Sequence, residues 1–154
     1  MNTDNYAIAA HSDRSTDAHE PSRRLRRWWG GVTSLLVAAT VIEAVFAGAI
    51  LSGVSWARPA HAATAAILIA STTTAGLVSV VALRRILHGP RLGLTLLSLA
   101  VVLILQAAIG KITAHGANLM WLHVPLGAAL VGLAAHAAAS ARRLGGLVGA
   151  QSNR

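Results

Sequence analysis

Four long apolar stretches dominate this chain: Trp28 to about Val54, Ala60 to Leu83, Leu92 to Ile112, and Leu119 to Ala141. Each reaches or exceeds the roughly 20 helical residues needed to cross about 30 Å of hydrocarbon. In lipid every backbone N–H and C=O needs a partner within the chain, so only helices and closed barrels survive there. Runs of Ala, Leu, Val, Ile and Gly without period-two alternation select helices. With 55% of its 154 residues hydrophobic and 12% charged, the chain lacks the polar groups to coat a water-soluble globule. The expected fold is therefore an all-α integral membrane protein, a four-transmembrane-helix antiparallel bundle. Its short connections make sequential helices neighbours.

The polar segments divide the chain further. Residues 1–27 read as a disordered tail, with Asp4, Asp13, Asp17 and Glu20 followed by the basic block Arg23, Arg24, Arg26 and Arg27; residues 28–141 form the membrane domain, and 142–154 a second tail. A net charge of +8 can mark a nucleic-acid binder, but here the basic residues come in short clusters between apolar spans and lack interleaved aromatics. They act instead as topology signals. Five tail arginines, Arg84, Arg85 and Arg91, and Arg142, Arg143 and Arg154 fall on one side, against Arg58 and Lys111 on the other. Eleven against two places both termini in the cytoplasm, with the bundle in the cell (inner or plasma) membrane. Trp28 and Trp29 then sit at the inner interface and Trp56 and Trp121 at the outer one, as an aromatic belt requires.

A secretory leader is the competing reading of the N-terminal third, because an Arg-rich start and an apolar run precede Ala60-His61-Ala62. The apolar run is too long for it, well beyond the usual ~7–15 residues of a leader core, and three more spans follow. Ala44, Gly48 and Ser52 recur at four-residue intervals and are expected to form a packing seam, as small residues do between helices in lipid. The absence of cysteine removes disulfides and thiolate chemistry.

Polar side chains inside a span are expensive, about 2.5–3.5 kcal/mol for a charge at mid-helix even on the lenient scale. Four stand out: Glu43, His61, Gln106 and His123. Glu43 is the sole acidic residue after Glu20, while His61 and His123 each lie near the start of an even-numbered span, at similar depth. Glu43 precedes His61 by 18 residues and Gln106 precedes His123 by 17, so the chain reads as two pseudo-repeated helical hairpins. A parallel repeat about the membrane normal brings the two histidines face to face. That arrangement suits a tetrapyrrole iron with two axial imidazoles, with small residues making room for the macrocycle.

Each of these residues also has a plainer reading. A single histidine near a span end usually just hydrogen-bonds at the interface, and Glu43 bonded to Gln106 would be a structural clasp worth about 0.6 kcal/mol. Glu43 is otherwise a proton carrier, or a charge tuning a nearby iron. His136 lies 13 residues after His123, about 140° around the helix, and span two offers Thr74 where a partner would be needed, so no second haem is expected. His88 and His115 belong to loops, His11 and His19 to the tail. Arg58 and Lys111 snorkel at the rim or pair with haem propionates.

Leu105-Gln106-Ala107-Ala108-Ile109-Gly110 with Leu122-His123-Val124-Pro125-Leu126-Gly127 resembles the third and fourth helices of one half of the haem A synthase family. Ser52-Gly53-Val54-Ser55-Trp56 resembles the loop after the first helix there, and small four-helix bacterial membrane proteins carry a similar Gln and Leu-His-x-Pro pattern. The resemblance covers about 100 residues. It implies a four-helix haem-carrying unit with His61 and His123 as axial ligands. The family has two such halves, so a homodimer would recreate its eight helices. Its catalytic carboxylate lies just before the first histidine, where this chain has Trp56-Ala57-Arg58-Pro59.

The leading expectation is thus a b-type haem bound by His61 and His123, with Glu43 and Gln106 behind them, serving electron transfer with a redox partner. The alternative is a cofactor-free membrane scaffold or accessory subunit, and a third is a proton or solute path through Glu43. No nucleotide loop, metal-spaced cluster or nucleophile motif points to stand-alone enzyme chemistry, and no nucleic-acid partner is expected.

Overall fold

The computed structural model describes residues 20–86 and 88–144. It consists of four helices, α1 (Glu20–Leu51), α2 (Ala57–Ala82), α3 (Gly89–Ala114) and α4 (Met120–Arg142). The tail up to residue 19, with His11 and His19, and residues 145–154 lie outside the described residues. Helix α1 begins at Glu20, so the arginine block expected to close the tail is helical and extends the first span. At about 1.5 Å per residue, even the 23-residue α4 is some 34 Å long, enough to cross a hydrocarbon core.

Both odd-numbered helices end in the same way. The Gly53 N–H meets the Ile50 carbonyl and the Val54 N–H meets that of Ala49, while Gly116 N–H meets Thr113 and Ala117 N–H meets Ile112. These are Schellman motifs, which need a left-handed residue just past the helix. Gly53 (φ 80°) and Gly116 (φ 102°) supply it without a Cβ penalty. Each lies ten residues beyond the polar residue of its helix, Glu43 or Gln106, so the repeat extends to the turns.

The helices form a four-sided ring in which α1 packs on α2 and α4, and α3 on α2 and α4. The diagonal pairs, α1 with α3 and α2 with α4, bring no Cα atoms within 8 Å of one another among the described residues. The α2–α3 hairpin is the tightest side. A Cβ on Gly93 would lie 2.5 Å from Val80 Cγ2 and 2.8 Å from the Val80 nitrogen, one on Gly76 2.9 Å from the Leu97 side chain, and one on Gly89 2.2 Å from the Leu83 carbonyl oxygen. Ser79 Oγ donates to the Gly89 carbonyl at 3.2 Å and ties the end of α2 to the start of α3.

Burial is lopsided along the bundle axis. The core comprises Trp29, Leu36, Leu68, Leu83, Leu92, Leu96, Leu99, Leu103, Leu130, Ala134, Ala137, Ala141 and Leu144, and runs from the end that carries the arginine clusters to mid-helix at Leu68, Leu103 and Leu130. Past Thr40 in α1 and Leu103 in α3, and before Leu68 in α2 and Leu130 in α4, Ala57 is the one buried residue of the described helices. Full burial is thus concentrated between the arginine end and mid-helix, and side chains beyond it are half-buried or exposed.

Large apolar side chains such as Leu35, Val45, Ile67, Val81, Leu94 and Val101 face outward. This is the inverse of a water-soluble bundle and fits a lipid surround. The hydroxyls of Thr33, Thr40, Thr64, Thr73, Thr95 and Thr113 each donate to a carbonyl four residues back. That local bond hides a polar group which lipid cannot solvate. The expected seam of Ala44, Gly48 and Ser52 does not pack within the bundle: all three are exposed, and nothing stands within 4 Å of a Cβ on Gly48.

Candidate functional site

The four intramembrane polar residues gather in the half away from the arginine end. Glu43 and Gln106 each sit eight residues before the last residue of their helices, about 12 Å from the helix end. His61 and His123 are the fifth and fourth residues of α2 and α4. Short turns built on Gly53 and Gly116 fold each even-numbered helix back beside its odd-numbered partner. That places each histidine level with the polar residue of the same hairpin.

Within the first hairpin, Glu43 Oε2 stands 2.5 Å from Nδ1 of His61. The Glu43 side chain is 12% exposed and that of His61 28%. The carboxylate has no other partner among the described residues, and the contact is a close approach rather than an aligned hydrogen bond. The ring turns Nδ1 toward the carboxylate, which leaves Nε2 on the side away from it.

The second hairpin is built differently. Gln106 Nε2 donates to the main-chain carbonyl of His123 at 2.7 Å. Pro125 lies two residues on, and its missing N–H already interrupts the first turns of α4, so a side-chain donor from α3 braces a weakened segment. A Cβ on Gly127 would lie 3.2 Å from the same Nε2. The imidazole of His123 lies over Gly110 of α3, where a Cβ would come 3.0 Å from its Cε1. Its Nδ1 is buried without a partner, as is Gln106 Oε1.

The anticipated clasp between Glu43 and Gln106 is not formed. These residues sit on the diagonal helices α1 and α3, and each turns instead to the histidine hairpin partner beside it. His61 and His123 occupy the other diagonal, on α2 and α4. No hydrogen bond involves Nε2 of either imidazole among the described residues.

The other expected candidates lie elsewhere. His136 and Thr74 face separate surface grooves at the arginine end, His136 beside Arg91 and Arg143, Thr74 beside Trp28 and Trp29. Arg58 and Lys111 are exposed at the far end, where His115 Nδ1 meets the Lys111 carbonyl at 2.7 Å. Sequence reasoning missed the role of Gly110, although its place in Gln106-Ala107-Ala108-Ile109-Gly110, one turn from Gln106 on the same face, carries the signal.

Four apolar helices in a ring, inverted in their polarity and holding a polar cluster in one half, define a small multi-pass membrane protein. No family model, characterised protein or solved structure matches the chain.

Proposed function

We propose that the half of the bundle away from the arginine end binds one b-type haem between α2 and α4, with His61 and His123 as axial ligands, and that the protein passes or buffers electrons in the cell membrane with its arginine end in the cytoplasm. The observation that carries this reading is the placement of two imidazoles near the starts of the diagonal helices α2 and α4, each beside the polar residue of its own hairpin and neither with a hydrogen bond at Nε2 among the described residues. A bound haem supplies one-electron redox chemistry.

The chain's own residues divide the remaining work. Glu43 orients the His61 ring through Nδ1 and makes Nε2 the coordinating nitrogen, as carboxylates behind metal-bound histidines do. Gln106 holds the His123 main chain, and Gly110 leaves the ring room to lie against α3. The apolar walls keep water from the site.

A second reading is favoured by the fact that each hairpin already engages its own polar groups, Glu43 with His61 and Gln106 with the His123 carbonyl. On that account the chain is a cofactor-free scaffold. A dithionite-reduced minus oxidised visible spectrum of detergent-purified, haem-replete protein separates the two. A sharp α-band lost in both His61→Ala and His123→Ala supports the haem; a featureless wild-type spectrum leaves the scaffold.

A further inference from the structure

The arginine end carries a second polar feature, at the opposite end from the histidine pair. Where α3 begins and α4 ends, a surface groove of about 810 Å³ is lined by His88, Arg91, Thr95, His136, Ser140 and Arg143, with Leu92 and Leu94 as its apolar wall. Arg91, His136 and Arg143 are exposed, and neither guanidinium has a hydrogen bond or ion pair among the described residues. The acid nearest in sequence to these positions, Glu43, lies in the other half of the bundle against His61.

The groove is held open by rigid parts. The Gly89 and Gly93 contacts with Leu83 and Val80 fix the start of α3 on α2, and so fix Arg91. Arg142 turns the other way, its Cγ 3.9 Å from a Cβ on Gly30 of α1, which leaves Arg143 to face the groove. Two guanidiniums and two imidazoles therefore line one groove from two helices, and no carboxylate is among its lining residues. Guanidinium forks match phosphate oxygens, and hydroxyls such as Ser140 add neutral donors.

Depth decides which phosphate. His136 lies seven residues, about 10 Å, inward of Arg143 along α4, and Thr95 lies one turn inward of Arg91. The groove thus runs from the end of the span into its apolar zone, beside Leu94 at 61% exposure. A ligand that fills it has an anionic head and an apolar tail. We infer that this groove is a binding site for the phosphodiester headgroup of an anionic glycerophospholipid, held by Arg91 and Arg143, with its acyl chain along Leu94.

The test is native mass spectrometry of the full chain in detergent, titrated with phosphatidylglycerol, diphosphatidylglycerol or phosphatidylcholine. Either anionic lipid is expected to bind in preference to phosphatidylcholine. Arg91→Gln and Arg143→Gln are each expected to weaken that binding about fivefold, and together roughly 25-fold, from the ~1 kcal/mol that each basic residue contributes near an anionic headgroup. Arg84→Gln/Arg85→Gln removes the same charge from the neighbouring exposed turn and is expected to bind as wild type. Equal loss in that control, or equal binding of phosphatidylcholine, overturns the site. Displacement of the lipid by inorganic phosphate at matched concentration overturns the lipid assignment in favour of a soluble anion. A diazirine-bearing phosphatidylglycerol on the wild-type protein answers independently of variant folding: crosslinks within 88–95 and 136–143 support the groove, and crosslinks elsewhere overturn it.

Discussion

Glu43 on α1 and His61 on α2 meet at 2.5 Å, carboxylate oxygen to ring nitrogen, with the carboxylate nearly withdrawn from its surroundings. Two polar groups that would each be costly alone in a membrane span are set against one another across the first hairpin. A double-mutant cycle on Glu43→Ala and His61→Ala, followed by unfolding in mixed micelles, is expected to show coupling of about 1–2 kcal/mol. Glu43→Gln is expected to retain part of it, since an amide still bonds the ring. Additive single effects would show that the contact contributes nothing.

Gln106 presents a contrasting case. Its amide donates to the His123 carbonyl, but its own Oε1 is buried without a partner. Gln106→Leu loses one interhelical hydrogen bond, about 0.6 kcal/mol on average in membrane bundles, and also removes the orphan oxygen. The expected outcome is a destabilisation under about 1 kcal/mol by the same unfolding assay. A loss several times larger would mean that the brace beside Pro125 holds the whole second hairpin.

Glycines at two positions should respond in opposite directions. Gly93→Ala drives a Cβ to 2.5 Å from Val80, where backbone as well as side chain obstructs it, and is expected to cost about 1–3 kcal/mol. Gly48→Ala meets nothing within 4 Å and gains helix propensity, so it is expected to stabilise by up to about 1 kcal/mol. Thermal melts in one detergent compare the two directly, and destabilisation by Gly48→Ala would reveal a contact made outside the single chain.

Gly110→Leu offers a probe of the proposed haem that leaves both histidines in place. A side chain there enters the space of the His123 ring, 3.0 Å away from Cε1 at the Cβ alone. The imidazole must turn, and the α-band of the haem-replete protein is expected to shift or fall while helix content by circular dichroism stays unchanged. An unaltered spectrum would argue against His123 as a ligand.

Much of this architecture is legible in the chain before it folds. The four apolar runs mark four helices because insertion is a contest between each segment and lipid, settled by length and composition within the segment. The repeat is equally local: a polar residue, a Schellman glycine ten residues later, and a histidine seven or eight beyond that, in Glu43, Gly53, His61 and again in Gln106, Gly116, His123. Matched depth follows from that spacing alone. The exposed Ala44, Gly48 and Ser52, and the Glu43 clasp that goes to His61 rather than Gln106, were not legible.

The reason is that lipid and a bundle core are about equally apolar, so the hydrophobic pattern of a span does not say which of its faces turns inward. Rotation of each helix about its axis is chosen by close packing and by interhelical polar contacts, which exist only once the neighbours are in place. The sequence by itself determined the number of helices and the level of each polar group, though not the start of α1 at Glu20. The tertiary structure decided that neighbours rather than diagonals pair their polar groups, that full burial gathers around Leu96, Leu99 and Ala137 rather than around His61 and His123, and that Arg91 and Arg143 come to share a groove.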